Sequence, residues 1–178
     1  MTLTEYRRLE EKEIEPELFA RFDRTQEVTR CWRKEEGGWV LKNIPFVDQW
    51  GPEEYRFLVE CLRNTVRTGG AVWGAFRDGA LMGFGSVESR LLGSRGQYRQ
   101  LSSLHVSRES RGRGTGVQLF LRLAEEARAM DAGKLYISAH SAEETQGFYK
   151  KLGCVEAEEY DPPLTAAEPC DCQLEFSL

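Results

Sequence analysis

Residues 97–130 read as a strand, a glycine-rich turn and a helix without a break, and this unit constrains the rest of the chain most. "QYRQLSSLHVS" has the character of a strand. "RESRGRGTG", Arg108 to Gly116, follows with three arginines and three glycines. Behind it, "GVQLFLRLAEEARAM" sets Leu119, Phe120, Leu123, Ala127 and Met130 along one helical face and stops at Gly133. A helix launched from a strand must cover a sheet, so more strands are required.

The flanking sequence supplies them. "AVWGAFRDGALMGFGSVES" is a hairpin turning at Asp78-Gly79. "KLYISA" is a short buried strand, and "CDCQLEFSL" is a last one. Between them "SAEETQGFYKKLG" is a helix ended by Gly153, with Ser141 and Glu144 at capping-box spacing. Earlier, "TEYRRLE" reads as a strand and "GGWVLKNIPF" as another. Residues 15–35 carry a helical pattern at Leu18, Phe19, Phe22 and Val28. "GPEEYRFLVECLRNTVRTGG" is a second early helix, with Pro52 in its first turn and Tyr55, Leu58, Val59, Leu62 and Val66 on one face. This predicts one α/β domain with a mixed sheet over residues 1–178, its halves joined near Thr68–Gly70.

The strand before the turn has one irregularity. Leu104 and Val106 share a face, but Leu101 has the other parity. An extra residue near Ser102-Ser103, a β-bulge, would bring all three to one side. A strand buried on both faces is the alternative.

Composition removes several function classes. The net charge of −5 argues against nucleic acid as a partner, since phosphate binding favours a basic surface. No apolar run reaches the roughly 18 residues of a membrane span. The N-terminus is charged and has no signal-peptide core, so the cytoplasm is the expected compartment. The five cysteines are not spaced as a disulfide framework, and "CDC" with only His105 and His140 elsewhere is a poor zinc pattern. No metal is expected.

The turn is suited to an anion. The first amides of a helix lack partners, and the dipole makes that end positive. Gly112, Gly114 and Gly116 let amides approach a ligand closely, and Arg111 and Arg113 add charge. Phosphate or pyrophosphate is the natural ligand. The spacing is neither the P-loop nor the dinucleotide fingerprint. It is R-x-x-G-x-G, from Arg111 to Gly116.

That loop resembles the acetyl-coenzyme A loop, Q/R-x-x-G-x-G/A, of the GNAT superfamily of N-acetyltransferases. "LYISA" and "FYKKLGC" resemble its second signature, and the likeness runs from about Ala71 to Tyr160. It implies a single-domain α/β (α+β) fold, with a mixed, mostly antiparallel sheet flanked by helices. It also implies transfer of an acetyl group from coenzyme A to a primary amine of a small molecule or peptide. The half after residue 70 would bind the coenzyme, and the first 70 residues would shape the acceptor pocket. Pyrophosphate would lie on the amides of Arg111, Gly112, Arg113, Gly114, Thr115 and Gly116. The pantetheine arm would run beside Leu104, His105 and Val106, one of whose amides would meet the oxyanion. Ser138, Thr145 and Phe148 would complete the coenzyme site, although Phe148 also reads as core with Leu152. Tyr149 stands where the family keeps its general acid.

Two positions depart from the family pattern. Gln100 stands where many relatives carry a basic glutamate, which leaves Glu88, His105 or a chain of waters to take the amine's proton. His105 also reads as a buried, hydrogen-bonded histidine. Ala142 replaces a common asparagine, with Thr145 or Ser141 as substitutes. Gln100, Asp23 and Arg24 are candidate acceptor contacts, and carboxylates with Trp32, Trp39 and Trp50 suit a cationic amine. A catalytically impaired module that binds coenzyme A as a sensor is the competing reading. A homodimer is left open.

Overall fold

A computed structural model describes residues 2–178. The chain begins with β1 (Glu5–Arg8), two short 3-10 turns, and a hairpin of β2 (Gln26–Glu35) and β3 (Gly38–Asp48). Then come α1 (Pro52–Arg67), β4 (Ala71–Arg77), β5 (Ala80–Leu92) and β6 (Tyr98–Val106). α2 (Thr115–Ala129), β7 (Lys134–Ala139) and α3 (Glu143–Leu152) follow, then β8 (Val155–Glu156), α4 (Pro162–Ala167) and β9 (Cys172–Ser177). Seven strands form one sheet in the order β1-β4-β5-β6-β7-β9-β8, and β2 with β3 forms a separate ribbon. Only β6 and β7 run parallel in the seven-stranded sheet. The mixed, mostly antiparallel architecture agrees with the sequence. Among the described residues no helix is long and apolar enough to cross a membrane.

Successive residues of β4 point to opposite faces, and each face has its own core. Ala71 packs with Phe120, Leu123 and Ala127 of α2. Its neighbour Val72 packs with Val59 and Leu62 of α1 and with Phe19 and Phe22. All these side chains are at least nine-tenths buried. One helix on each side thus holds the sheet rigid behind the cavities described below.

Residues 15–35 are not a helix. Pro16–Phe19 is one 3-10 turn, and the chain is extended from Gln26. The register of β2 against β3 shifts between Val28 and Arg30, and this bulge leaves Val28 and Cys31 both buried. A bulge turns an apolar spacing of two into three, which imitates a helix. The hairpin closes at Glu35 and Gly38.

The ribbon lies across the start of α3. Trp32 N–H donates to the Ser141 carbonyl at 2.8 Å, and Arg30 reaches both carboxylate oxygens of Glu143 at 2.7 and 2.8 Å. The expected capping box does not form. Arg33 donates to Ser141 Oγ at 2.7 Å, and the helix is capped at Ala142 without a side-chain bond. Ala142 is fully buried against Val28 and Cys31. A larger residue there would push the ribbon off, which accounts for alanine in place of asparagine.

Candidate active site

The irregularity in β6 is a bulge. Ser86 pairs with Ser103 but Val87 pairs with Leu101, so Ser102 is the extra residue. Beyond it β6 and β7 separate. They pair only from Tyr98–Gln100 to Lys134–Tyr136 and then diverge. The wedge between them is the wall of a cavity of about 600 Å³.

Main chain forms part of the wall of this inner cavity. Ser107 N–H donates to Met82 on β5 at 2.7 Å. Antiparallel pairing alternates direction along a strand. Leu104 and Val106 therefore turn their N–H and C=O away from β5, toward the wedge. The Val106 carbonyl accepts there from Arg111 at 2.9 Å. The free edge of β6 offers an extended ligand the bonds of an added strand.

The glycine-rich turn closes one end. Gly112 and Gly114 have φ of +74° and +85°, and a Cβ on either would meet nothing within 4 Å. Both glycines line the cavity, at the N-terminus of α2. Gly116 differs: a Cβ would stand 3.1 Å from the Phe148 ring, so α3 rests on the turn. Ser110 Oγ is buried in the same wall with no hydrogen-bond partner. An orphaned hydroxyl and an open cradle of amides at a helix start are what an anionic ligand would satisfy. Sequence reasoning passed over Ser110, and nothing in its type or spacing singles it out.

Arg111 and Arg113 do not act as the loop composition suggested. The Arg111 guanidinium donates to the carbonyls of Val106, Thr25 and Arg24 at 2.9, 2.7 and 3.1 Å. It fastens the loop to the first half of the chain. Arg113 is exposed and lies outside the cavity wall. The glycines of the turn thus line the cavity, while neither guanidinium is free in it.

Tyr149, Phe148, Thr145 and Ser138 all line the inner cavity. Thr145 Oγ1 accepts from Gln26 at 3.4 Å. Ser138 Oγ donates to Asp171 at 3.1 Å. The Tyr149 side chain is 7% exposed, and burial pushes its phenol well above the ordinary range. It keeps its proton and can donate it in a hydrogen bond. Cys154, beneath it, is pushed up to about 12 by burial and stays a thiol.

A second cavity of about 830 Å³ meets the first at Ser102, Ser103 and His105, which line both. Its walls come from α1, β5, β6 and Glu168. Every charged side chain on them is a carboxylate: Glu53, Glu54, Glu88 and Glu168. Gln100 and Trp50 line it as well. Glu88 Oε1 is 2.6 Å from Thr65 Oγ1 and 2.8 Å from Ser102 Oγ.

The remaining candidates separate. His105 sits between the rings of Trp50 and Phe84, at 4.8 and 5.4 Å between centroids. Burial, helped by the charges of Arg24 and Arg111, lowers its pKa to about 3. The imidazole is neutral and too weak a base to take a proton from an ammonium group. Its neighbours are aromatic rather than the hydrogen-bonding groups expected. Asp23 is not on a helix and lines neither cavity: its carboxylate accepts from Thr25 N–H at 3.0 Å. Arg24 does line the inner cavity, paired with Asp48 at 2.9 Å and lying 4.9 Å over Trp50. Among the described residues no group of three or more His, Cys, Asp or Glu is placed to hold a metal.

Solved structures share this fold. Nourseothricin acetyltransferase is 19% identical, with 98% of this chain and 97% of that one covered and a TM-score of 0.66. A protein assigned as a streptothricin acetyltransferase from Bacillus anthracis, in complex with acetyl coenzyme A, is 13% identical. It aligns over 99% of both chains with a TM-score of 0.74. The PaiA N-acetyltransferase of Thermoplasma acidophilum, in complex with coenzyme A, is 16% identical over 99% of both chains, with a TM-score of 0.60. No curated protein matches by sequence. The model of the acetyltransferase (GNAT) family matches residues 7–154, which hold the wedge, the glycine-rich turn and Tyr149. The chain belongs to the acetyltransferase (GNAT) family.

Proposed function

We propose that the protein transfers an acetyl group from acetyl-coenzyme A to a primary amine on a cationic small molecule or peptide. The observation that carries this reading is the junction of two unlike cavities at Ser102, Ser103 and His105. One offers amides to an anion and a strand edge to an extended arm. The other offers the partner aromatic faces and carboxylates, with no side chain of positive charge.

In this reading the pyrophosphate takes the amides from Arg111 to Gly116, and Ser110 Oγ gains the partner it lacks. The pantetheine amides pair with the free edge at Leu104 and Val106. The thioester carbonyl then lies near the bulge, where the Leu104 N–H is turned to receive the developing oxyanion. Tyr149 donates to the leaving sulfur. A thiol of pKa about 8.5 leaves as a thiolate, and a phenol that cannot ionise is a fixed donor to it.

Carboxylates without a counter-charge attract ammonium groups, and Trp50 adds a cation–π face. Acetylation removes one positive charge, so product binds this cavity less strongly than substrate does. Ala142 has a packing role under the ribbon, so its presence does not favour a catalytically silent sensor.

The test has two stages. Acetyl-coenzyme A should raise the melting temperature by several degrees at 100 times Kd, corresponding to about 2.7 kcal/mol. ATP and NAD should not. Coenzyme release should then be faster with diamines than with neutral or carboxylated amines. Binding with no turnover across that panel would favour the sensor. Preference for an acidic acceptor would overturn the cationic assignment.

A further inference from the structure

We propose that the hydroxyls of Ser103, Ser86 and Ser102 form a path that carries the acceptor's proton from the junction of the cavities to Glu88. The inference rests on the amine-transfer reading above. Ser86 lies on β5 with 1% exposure. Its Oγ is 2.5 Å from Ser103 Oγ and 2.7 Å from Ser102 Oγ. Ser102 Oγ is 2.8 Å from Glu88 Oε1. Four oxygens thus stand in line.

The bulge makes this line. On a regular strand Ser102 and Ser103 would point to opposite faces. The extra residue lets both hydroxyls reach Ser86.

The direction of the chain is set at its far end. An ionised carboxylate only accepts, and a hydroxyl has one proton to donate. Ser102 therefore donates to Glu88, Ser86 to Ser102, and Ser103 to Ser86. This leaves a lone pair on Ser103 Oγ, and Ser103 lines both cavities. An ammonium group arriving at the junction meets an acceptor connected to a carboxylate.

The step balances. The ammonium gives one proton to Ser103 Oγ. Ser103 passes its own to Ser86, Ser86 to Ser102, and Ser102 to Glu88, which becomes a carboxylic acid. Each serine ends with one proton and rotates back. Half-buried Glu88 faces the wide outer cavity and returns the proton to water. The neutral amine attacks the thioester carbon. The proton then left on nitrogen is released to solvent as the tetrahedral adduct collapses, and the sulfur departs as a thiolate that accepts a hydrogen bond from Tyr149. Ser103 is the catalytic member, and Ser86 and Ser102 are positioning residues. The other ionisable groups lining the outer cavity are Cys61, Glu53, Glu54, Glu168 and the neutral His105, with Glu60 near Cys61. None of them is hydrogen-bonded into the line.

The test is Ser102→Ala, at an exposed position with little risk to folding, beside Ser86→Ala and Glu88→Gln. Each is assayed with a diamine acceptor from pH 7 to pH 10. At pH 7 kcat should fall about 100-fold in each, a typical size for proton-transfer catalysis. The Kd of acetyl-coenzyme A should be native. The loss should shrink as pH approaches the amine's own pKa of about 10.4, where the proton leaves unaided. The double variant Ser102→Ala/Glu88→Gln should be no worse than either single one, since one break interrupts the whole path. Native kcat in Ser102→Ala, a loss equal at every pH, or losses that multiply would overturn the path. A native chain that transfers acetyl to no amine overturns the underlying reading and the path together. An active native chain with active variants overturns the path alone.

Discussion

The two cavities meet at three residues yet are built by opposite means. The inner one is a gap in a sheet, walled in part by the main chain of a strand edge and a glycine-rich turn. The outer one is a space between a helix and the sheet, and its charged groups are all carboxylate side chains. Main-chain groups persist whatever the side chains are, provided glycine and a bulge keep the geometry. Side-chain groups can be exchanged one at a time. The inner cavity is therefore the place for a constant ligand, and the outer one for a ligand that defines this particular chain.

The largest expected effect breaks the inner cavity. Gly114→Glu puts a carboxylate in the turn proposed to receive the pyrophosphate. Affinity for acetyl-coenzyme A should fall more than 100-fold, about 2.7 kcal/mol, by titration calorimetry. Gly114 is left-handed, so any side chain there also costs about 1–2 kcal/mol of stability. Gly114→Ala carries that strain without the charge and should keep most of the affinity. Equal losses in both would mean that the turn is structural only.

Next in size is Tyr149→Phe, which tests the proposed hydrogen-bond donor to the leaving sulfur. We expect kcat to drop about 100-fold with the coenzyme Kd unchanged. Native turnover in stopped-flow assays would remove Tyr149 from the mechanism.

The outer cavity should respond differently. Glu53→Gln with Glu168→Gln should raise KM for a diamine about tenfold at low salt and leave kcat alone. The effect should fade at 0.5 M salt, because these carboxylates are exposed to solvent. A neutral amine should be indifferent. An equal change in KM for both would mean that charge is not what the cavity reads.

The smallest effect concerns the junction. His105 has a folded pKa of about 3 against about 6.5 when unfolded. Between those values the unfolded chain binds more protons, so stability is full above pH 6.5 and is lost as pH falls. At pH 5.5 the loss should be roughly 1 kcal/mol, or about 2–4 °C in Tm. His105→Phe should flatten that slope. A slope identical to native would show that the ring titrates freely and does not belong to the aromatic wall.

Much of the inner cavity was legible beforehand. The switch from strand to helix across "RESRGRGTG" is local, and so is the parity break that betrays the bulge at Ser102. The ribbon was misread, and the same device was the cause. A second bulge spaced Val28 and Cys31 three apart, as a helix would. The turn at Glu36-Gly37, between two runs with strand residues, was the signal that could have corrected it. The short helix after Asp161 has no counterpart in the sequence reading, and its signal was an aspartate cap followed by proline.

The sequence by itself determined what neighbours in the chain decide: hairpin, glycine cradle, helix start and the register that puts Tyr149 on a face apart from Leu152. Only the tertiary structure decided the rest. Arg111 turned out to bind three carbonyls, two of them more than 85 residues away, instead of a ligand. Ala142 is small because a ribbon from the other half lies on it. Ser103, Ser86, Ser102 and Glu88 became one line because two strands met in one register. Such contacts depend on which distant groups pack together, and packing answers to the whole core rather than to any window of residues.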